Sequence, residues 1–189
     1  MDRAQATQKL VRVFRQYGYE GATLARIAEA TGLGRASLYH HFPNGKQEMA
    51  EAVLAYVSQW FKETILAPLR SEGKPAERIR LMGEHLSQFY DCGQNACLMA
   101  VFTLGESDDL FHEQVNQALN AWINSLTEVL TEAGFPLKQA RQRAEDAVIQ
   151  VQGALILTRG LNSTKPFERV LQQLPVKLLE LKTASPSSV

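Results

Sequence analysis

The chain has 189 residues and 21.1 kDa, is 45% hydrophobic, and balances 20 basic against 20 acidic side chains. That size supports a real core, and the zero net charge argues against a protein wholly devoted to nucleic acid. No apolar run approaches the roughly 18–20 residues of a membrane helix. The first residues, MDRAQATQKLVRVF, lack the apolar stretch of a secretory leader, and two cysteines, Cys92 and Cys97, make no disulfide framework, so a reducing cytoplasm and no membrane are expected.

Along the chain the apolar spacing is helical throughout, and about nine helices are expected. Residues 2–17 place Leu10, Val13, Phe14 and Tyr17 on one face, and Gly18 is read as the stop. Thr23 is an N-cap with an incomplete capping box, since Arg26 stands where an acid would close it. Leu24, Ile27 and Ala28 mark a short helix ending at Thr31-Gly32, and a second runs from about Arg35 to Phe42, where Pro43 stops it. A longer helix follows from Lys46 to about Pro68, then a linker at 71–75, then helices at about 76–91, 96–105, 109–133, 137–161 and 166–182. The tail, 183–189, has the composition of disorder. No alternating run bounded by turn residues asks to be a strand, so the fold class is all-α.

Two short helices joined by Thr31-Gly32-Leu33-Gly34 have the form of a helix-turn-helix, over about residues 24–43. Gly32 can take the positive φ of a sharp turn, while Leu33, Ile27, Ala28 and Leu38 form a small core between the helices. The outer face of the second helix is polar, as a helix lying in a major groove about 12 Å wide requires. Charge agrees: residues 1–50 carry seven Lys/Arg against four acids, and the remainder 13 against 16.

The stretch GATLARIAEATGLGRASLYHHFPNGKQEM resembles the N-terminal signature of the TetR/AcrR family of one-component transcriptional repressors, densely over residues 5–54. Its FPNGK segment resembles a subgroup that includes repressors of multidrug exporters; the segment around Cys92 and Cys97 departs from that subgroup's pattern. The resemblance implies a helix-turn-helix head, residues 1–47, whose third helix reads DNA, and a ligand-sensing and dimerisation bundle, residues 48–182.

Chemistry distributes the roles within the head. Arg35 suits bidentate pairing with guanine O6 and N7, Ala36 a thymine methyl, and Ser37 a base edge or phosphate. Tyr39 and His40 are long enough to reach phosphates on the groove wall, and the resemblance points the same way. Thr23 offers a hydroxyl and free N–H groups at a helix N-terminus. Lys46 opens the next helix, where a cation opposes the dipole, so a phosphate partner is expected. His40 and His41 project about 100° apart on a helix and have no Cys or acid cluster beside them, so no metal is expected, nor any cofactor.

For the bundle, the resemblance implies that the last two helices pair with their symmetry mates. Ala147, Val151 and Ala154, with Val170, Leu171, Leu174 and Leu178, are the expected seam of a homodimer, against the alternative that they are intrachain core. A pocket for a small apolar or aromatic effector is expected among Trp60, Phe61, Phe89, Tyr90, Met99, Phe102, Phe111 and Trp122, with His85 or Glu106 as polar anchor. The expected activity is thus a repressor that binds a palindromic operator as a dimer and is released by an effector. A TetR-like protein controlled by a partner protein or by oxidation of Cys92 and Cys97 is the rival. A small all-α enzyme is disfavoured, because the chain offers no HExxH, no phosphate loop and only four histidines.

Overall fold

The computed structural model describes residues 1–180, so the end of the last expected helix and the tail lie outside the described residues. Among the described residues all regular structure is helical: α1 (Arg3–Gly21), α2 (Leu24–Thr31), α3 (Arg35–His41), α4 (Lys46–Phe61), α5 (Pro75–Phe89), α6 (Leu98–Val101), α7 (Glu106–Glu132), α8 (Leu137–Gly160) and α9 (Lys165–Leu179). None of these helices is long and apolar enough to cross a membrane.

Asp2 starts α1 with a full capping box, its carboxylate accepting from the Gln5 N–H while the Gln5 side chain takes the Asp2 N–H. The helix buries Ala6, Leu10, Val13 and Phe14. Gly18 does not end it. At φ 69° it kinks the backbone, and one more turn follows. The kink exchanges the expected tyrosines: Tyr19 is buried, whereas Tyr17 is exposed with the Arg26 guanidinium 4.2 Å from its ring centroid.

The long helix expected from Lys46 to Pro68 changes character at its end. After Phe61 it widens into a π-helical turn, Lys62–Leu66, and then tightens into a 3₁₀ turn, Ala67–Arg70. A π turn leaves carbonyls away from their usual partners. His85 of α5 meets one of them, its Nδ1 lying 2.6 Å from the Thr64 carbonyl oxygen. A carbonyl only accepts, so Nδ1 carries the proton. His85 therefore braces α4 against α5 through Nδ1. Arg78 does similar work, donating to the Leu69 carbonyl at 2.9 Å and pairing with Glu132 of α7.

In the body, α7 packs on α8, α8 on α9 and α9 on α5, and Trp122 of α7 is fully buried, 5.2 Å from Phe61 of α4 centroid to centroid. The helix expected at 96–105 shrinks to the single turn of α6, and Gly105, at φ 61°, sits at the N-cap of α7. The head joins the body through aromatic rings. Phe14 lies 5.7 Å from Phe102, Tyr19 5.4 Å from Phe111, and Phe102 5.1 Å from Phe111, centroid to centroid. Beside them a carboxylate of the head caps a helix of the body: Glu20 Oε1 accepts from the Glu106 N–H at 2.8 Å. That close approach needs glycine at 105, where a Cβ would meet Glu20 Oε1 at 2.6 Å. Glu106 thus opens α7 beside Glu20 at the junction.

Two other expectations change. Six residues expected at the dimer seam, Ala147, Val151, Ala154, Leu171, Leu174 and Leu178, are between 1% and 8% exposed within the single chain, and Val170 is half-buried. They close the chain's own core. The outward apolar residues of the same two helices are Leu137, Ile149, Ile156, Leu157 and Val176, each more than half exposed. Likewise Tyr90, Phe102, Phe111 and Trp122 are core rings, fully buried and packed ring to ring. Of the expected liners, Phe61 and Met99 reach an apolar void between α4, α6 and α7 of about 20 Å³, the scale of one water. Trp60 is half-buried and stacks on Phe89 at 4.9 Å.

Truncating Phe102 leaves a hole where head and body meet. Phe102→Ala is expected to cost about 3–5 kcal/mol of stability, read from urea denaturation followed by circular dichroism.

Candidate nucleic-acid interface

The geometry of α2 and α3 follows from a few local bonds. Thr23 caps α2, its Oγ1 accepting the Arg26 N–H at 3.3 Å. Gly32 ends the helix in the left-handed region, φ 72° and ψ 16°, returning its N–H to the Ala28 carbonyl. Thr31, which the sequence offered only as part of a turn, is fully buried there. Its hydroxyl donates to the Ile27 carbonyl at 2.7 Å and accepts the Leu33 N–H at 3.3 Å, so it fixes the direction of the turn. Lys9 adds a bond from α1, donating to the Thr31 carbonyl at 3.1 Å.

With α2 set, α3 has one side down. Leu38 is fully buried and joins Ile27 in the core, and Phe42, just past the helix, is buried too, with the Arg3 guanidinium 5.0 Å from its ring centroid. His41 is half-buried. Arg35, Ala36, Ser37, Tyr39 and His40 are all exposed. The Arg35 guanidinium lies 6.0 Å from the Tyr39 ring centroid, one turn along, and among the described residues no ion pair or hydrogen bond holds its side chain. No group of three His, Cys, Asp or Glu side chains gathers there or elsewhere among the described residues as a metal site would require.

Two expected contact residues look different in detail. The Thr23 hydroxyl oxygen is engaged in the cap, which leaves its proton free to donate outward. Lys46 points inward: its Nζ donates to the Tyr19 carbonyl at 3.0 Å and lies 4.2 Å from the Tyr19 ring centroid. The cation that opposes the α4 dipole therefore has a partner within the head, supplied by the turn beyond the Gly18 kink.

A compact trihelical head that buries Leu38 and presents a polar, unpaired α3 is a helix-turn-helix reader. Family comparison agrees over both halves of the chain. Residues 8–53 match the model of bacterial regulatory proteins of the tetR family, and residues 75–173 match the C-terminal domain of LmrA/YxaF-like transcriptional regulators. The chain belongs to the TetR family. Among curated relatives, the HTH-type transcriptional regulator LmrA of Bacillus subtilis (strain 168) is 25% identical over 169 residues, 87% of this chain and 89% of that protein. The uncharacterized HTH-type transcriptional regulator YxaF of the same organism is also 25% identical over 169 residues, 87% and 88% of the two chains. A TetR transcriptional regulator from Legionella pneumophila has the same fold, with a TM-score of 0.79 at 20% identity over 90% of this chain and 93% of that one.

This TetR-family protein is therefore a DNA-binding transcriptional regulator, and its C-terminal half, which the head signature left open, is of the LmrA/YxaF type. Thr23 separates cap from contact. Thr23→Ala is expected to lower stability by about 1 kcal/mol. Thr23→Asp keeps the cap, so denaturation should return to near the wild-type midpoint, yet it sets a negative charge where a phosphate is expected and should weaken duplex binding in a fluorescence anisotropy titration.

Proposed function

We propose that the protein is a repressor that binds a palindromic operator as a homodimer, with residues 1–47 as the DNA-binding head and the remainder as a ligand-sensing and dimerisation domain. The observation that carries the reading is α3, whose buried Leu38 turns Arg35, Ala36, Ser37, Tyr39 and His40 outward. In this reading Arg35 selects a base in each half-site, Ala36 and Ser37 fit neighbouring positions, and Tyr39, His40 and Thr23 hold the backbone. Lys46 contributes positive potential from its inward position and a phosphate contact only if it leaves Tyr19.

A second copy would meet the chain on the outward apolar face of α8 and α9. Ile149, Ile156, Leu157 and Val176 are exposed there, and Gly153 lies among them with open space beside its Cα. A small apolar or aromatic effector would act from the body through α4, which begins at the head with Lys46 and passes Trp60 and Phe61 before the π turn. Occupying the small void at Phe61 and Met99 would displace α4 and with it the spacing of two heads that must match half-sites about 34–36 Å apart, or a multiple.

Selection of bound DNA from a random pool tests the first part. A palindromic consensus is expected, and Arg35→Ala should relax base preference at one position per half-site at a cost of about 1–3 kcal/mol. An unchanged consensus in that variant would remove Arg35 from the readout.

Sedimentation equilibrium tests the second part. The wild type should sediment at twice 21.1 kDa. Ile156→Glu with Leu157→Glu should give monomer with unchanged helicity, since each places an unpaired charge in the seam. A dimer that survives both changes would move the interface elsewhere.

A further inference from the structure

Between the head and the body lies a cleft of about 520 Å³ that none of the expected roles uses. Its walls are Arg12, Arg15 and Gln16 of α1, Gln94 and Asn95 of the loop before α6, and Arg159 near the end of α8. Three guanidinium groups thus converge with three amides, and no carboxylate lines the space. Among the described residues Arg12, Arg15 and Arg159 make no ion pair and no side-chain hydrogen bond, although five other arginines do pair with acids.

Arg15 is the telling member. Its Nε is buried without a partner, and its guanidinium rests on the body, 4.8 Å from the Phe89 ring centroid. Burial pushes its pKa down, and the only opposing influences are Tyr90 and Cys97. A half-buried guanidinium whose Nε has no acceptor leaves that donor unsatisfied, and an arginine fork matches carboxylate and phosphate oxygens in pairs. The cleft also opens beside an apolar groove of about 440 Å³, lined by Met99, Leu119 and Leu155 and by Ile156 of the proposed dimer face, and Arg159 belongs to both.

We propose that this cleft is a binding site for the oxyanion group, carboxylate or phosphate, of a small molecule that bridges α1 of the head to α8 of the body. The bound oxygens complete Arg15 and draw in Arg12 and Arg159. The neighbouring groove admits an apolar tail where the molecule has one. Since the site has one wall on each part of the protein, its occupant bears on how the head is set.

The test is thermal unfolding of the full-length protein in inorganic phosphate, octanoate and acetate, each against chloride at matched ionic strength. Wild type should gain a saturable rise in Tm of about 2–4 °C in phosphate or in octanoate. Both Arg12→Gln and Arg159→Gln, at exposed positions that fold independently of a ligand, should lose that rise. Arg80→Gln, on α5 outside the cleft lining and paired with Glu84, should keep it. Phosphate acting alone assigns a free or esterified phosphate. Octanoate acting where acetate does not assigns an acid with its tail in the groove. The proposal is overturned if neither anion gives a saturable shift, or if the shift survives in the Arg12 and Arg159 variants. It is equally overturned if those variants lose operator affinity without any anion effect, which would make the cleft part of the DNA surface. Because this readout needs no operator, its failure leaves the proposed repressor function standing.

Discussion

Helix α1 must satisfy two neighbours at once. One face holds α2 and α4, and so positions the recognition helix; another presses Phe14 and Tyr19 against Phe102 and Phe111 of the body. Aromatic contacts of this kind contribute about 0.5–1.5 kcal/mol each beyond their burial. Their direction matters as much as their size, since edge-to-face packing fixes the angle between the elements that carry the rings. The kink at Gly18 is what allows both contacts. Without it the two aromatic residues would sit on a straight helix and Tyr17 would take the buried position.

The recognition end was legible in the sequence because its determinants are local. Thr23, Gly32 and Pro43 mark boundaries within a few residues of where they act, and the burial of Leu38 follows from spacing. The body was legible as helices and far less so as surfaces. Helix α8 is apolar over a wide arc, so periodicity alone does not say which part of that arc meets α7 and α9 and which stays outside. Small residues such as Ala147 and Ala154 were assigned to close approach between two chains, yet they serve close approach within one. The residues left outside, Ile156 and Leu157, carry no separate mark in the sequence.

Other differences have long-range causes. The dipole argument for Lys46 was sound as far as the helix goes, but the partner that resolves it is the carbonyl of Tyr19, 27 residues earlier and exposed by the kink. His85 was expected as the polar anchor of a pocket, and the structure shows a bracing role between two helices. Its use depends on the π turn at Lys62–Leu66, which no pattern in that segment announces. Arg12 and Arg15 stand in α1 and Arg159 near the end of α8. Only the fold brings them together.

The bond from Glu20 to the first turn of α7 bears on where this protein can be cut and rejoined. A border drawn in sequence near residue 47 leaves Glu20 on one side and Gly105 on the other, although each is shaped by the other's presence. A chimera that grafts this head onto a foreign body would carry a carboxylate with no helix end to receive it. The reverse graft would leave an α7 whose opening N–H groups have lost their acceptor and whose strained glycine no longer has a purpose. Modular exchange among related regulators would therefore have to move Glu20 and Gly105 as a pair, along with the four rings beside them.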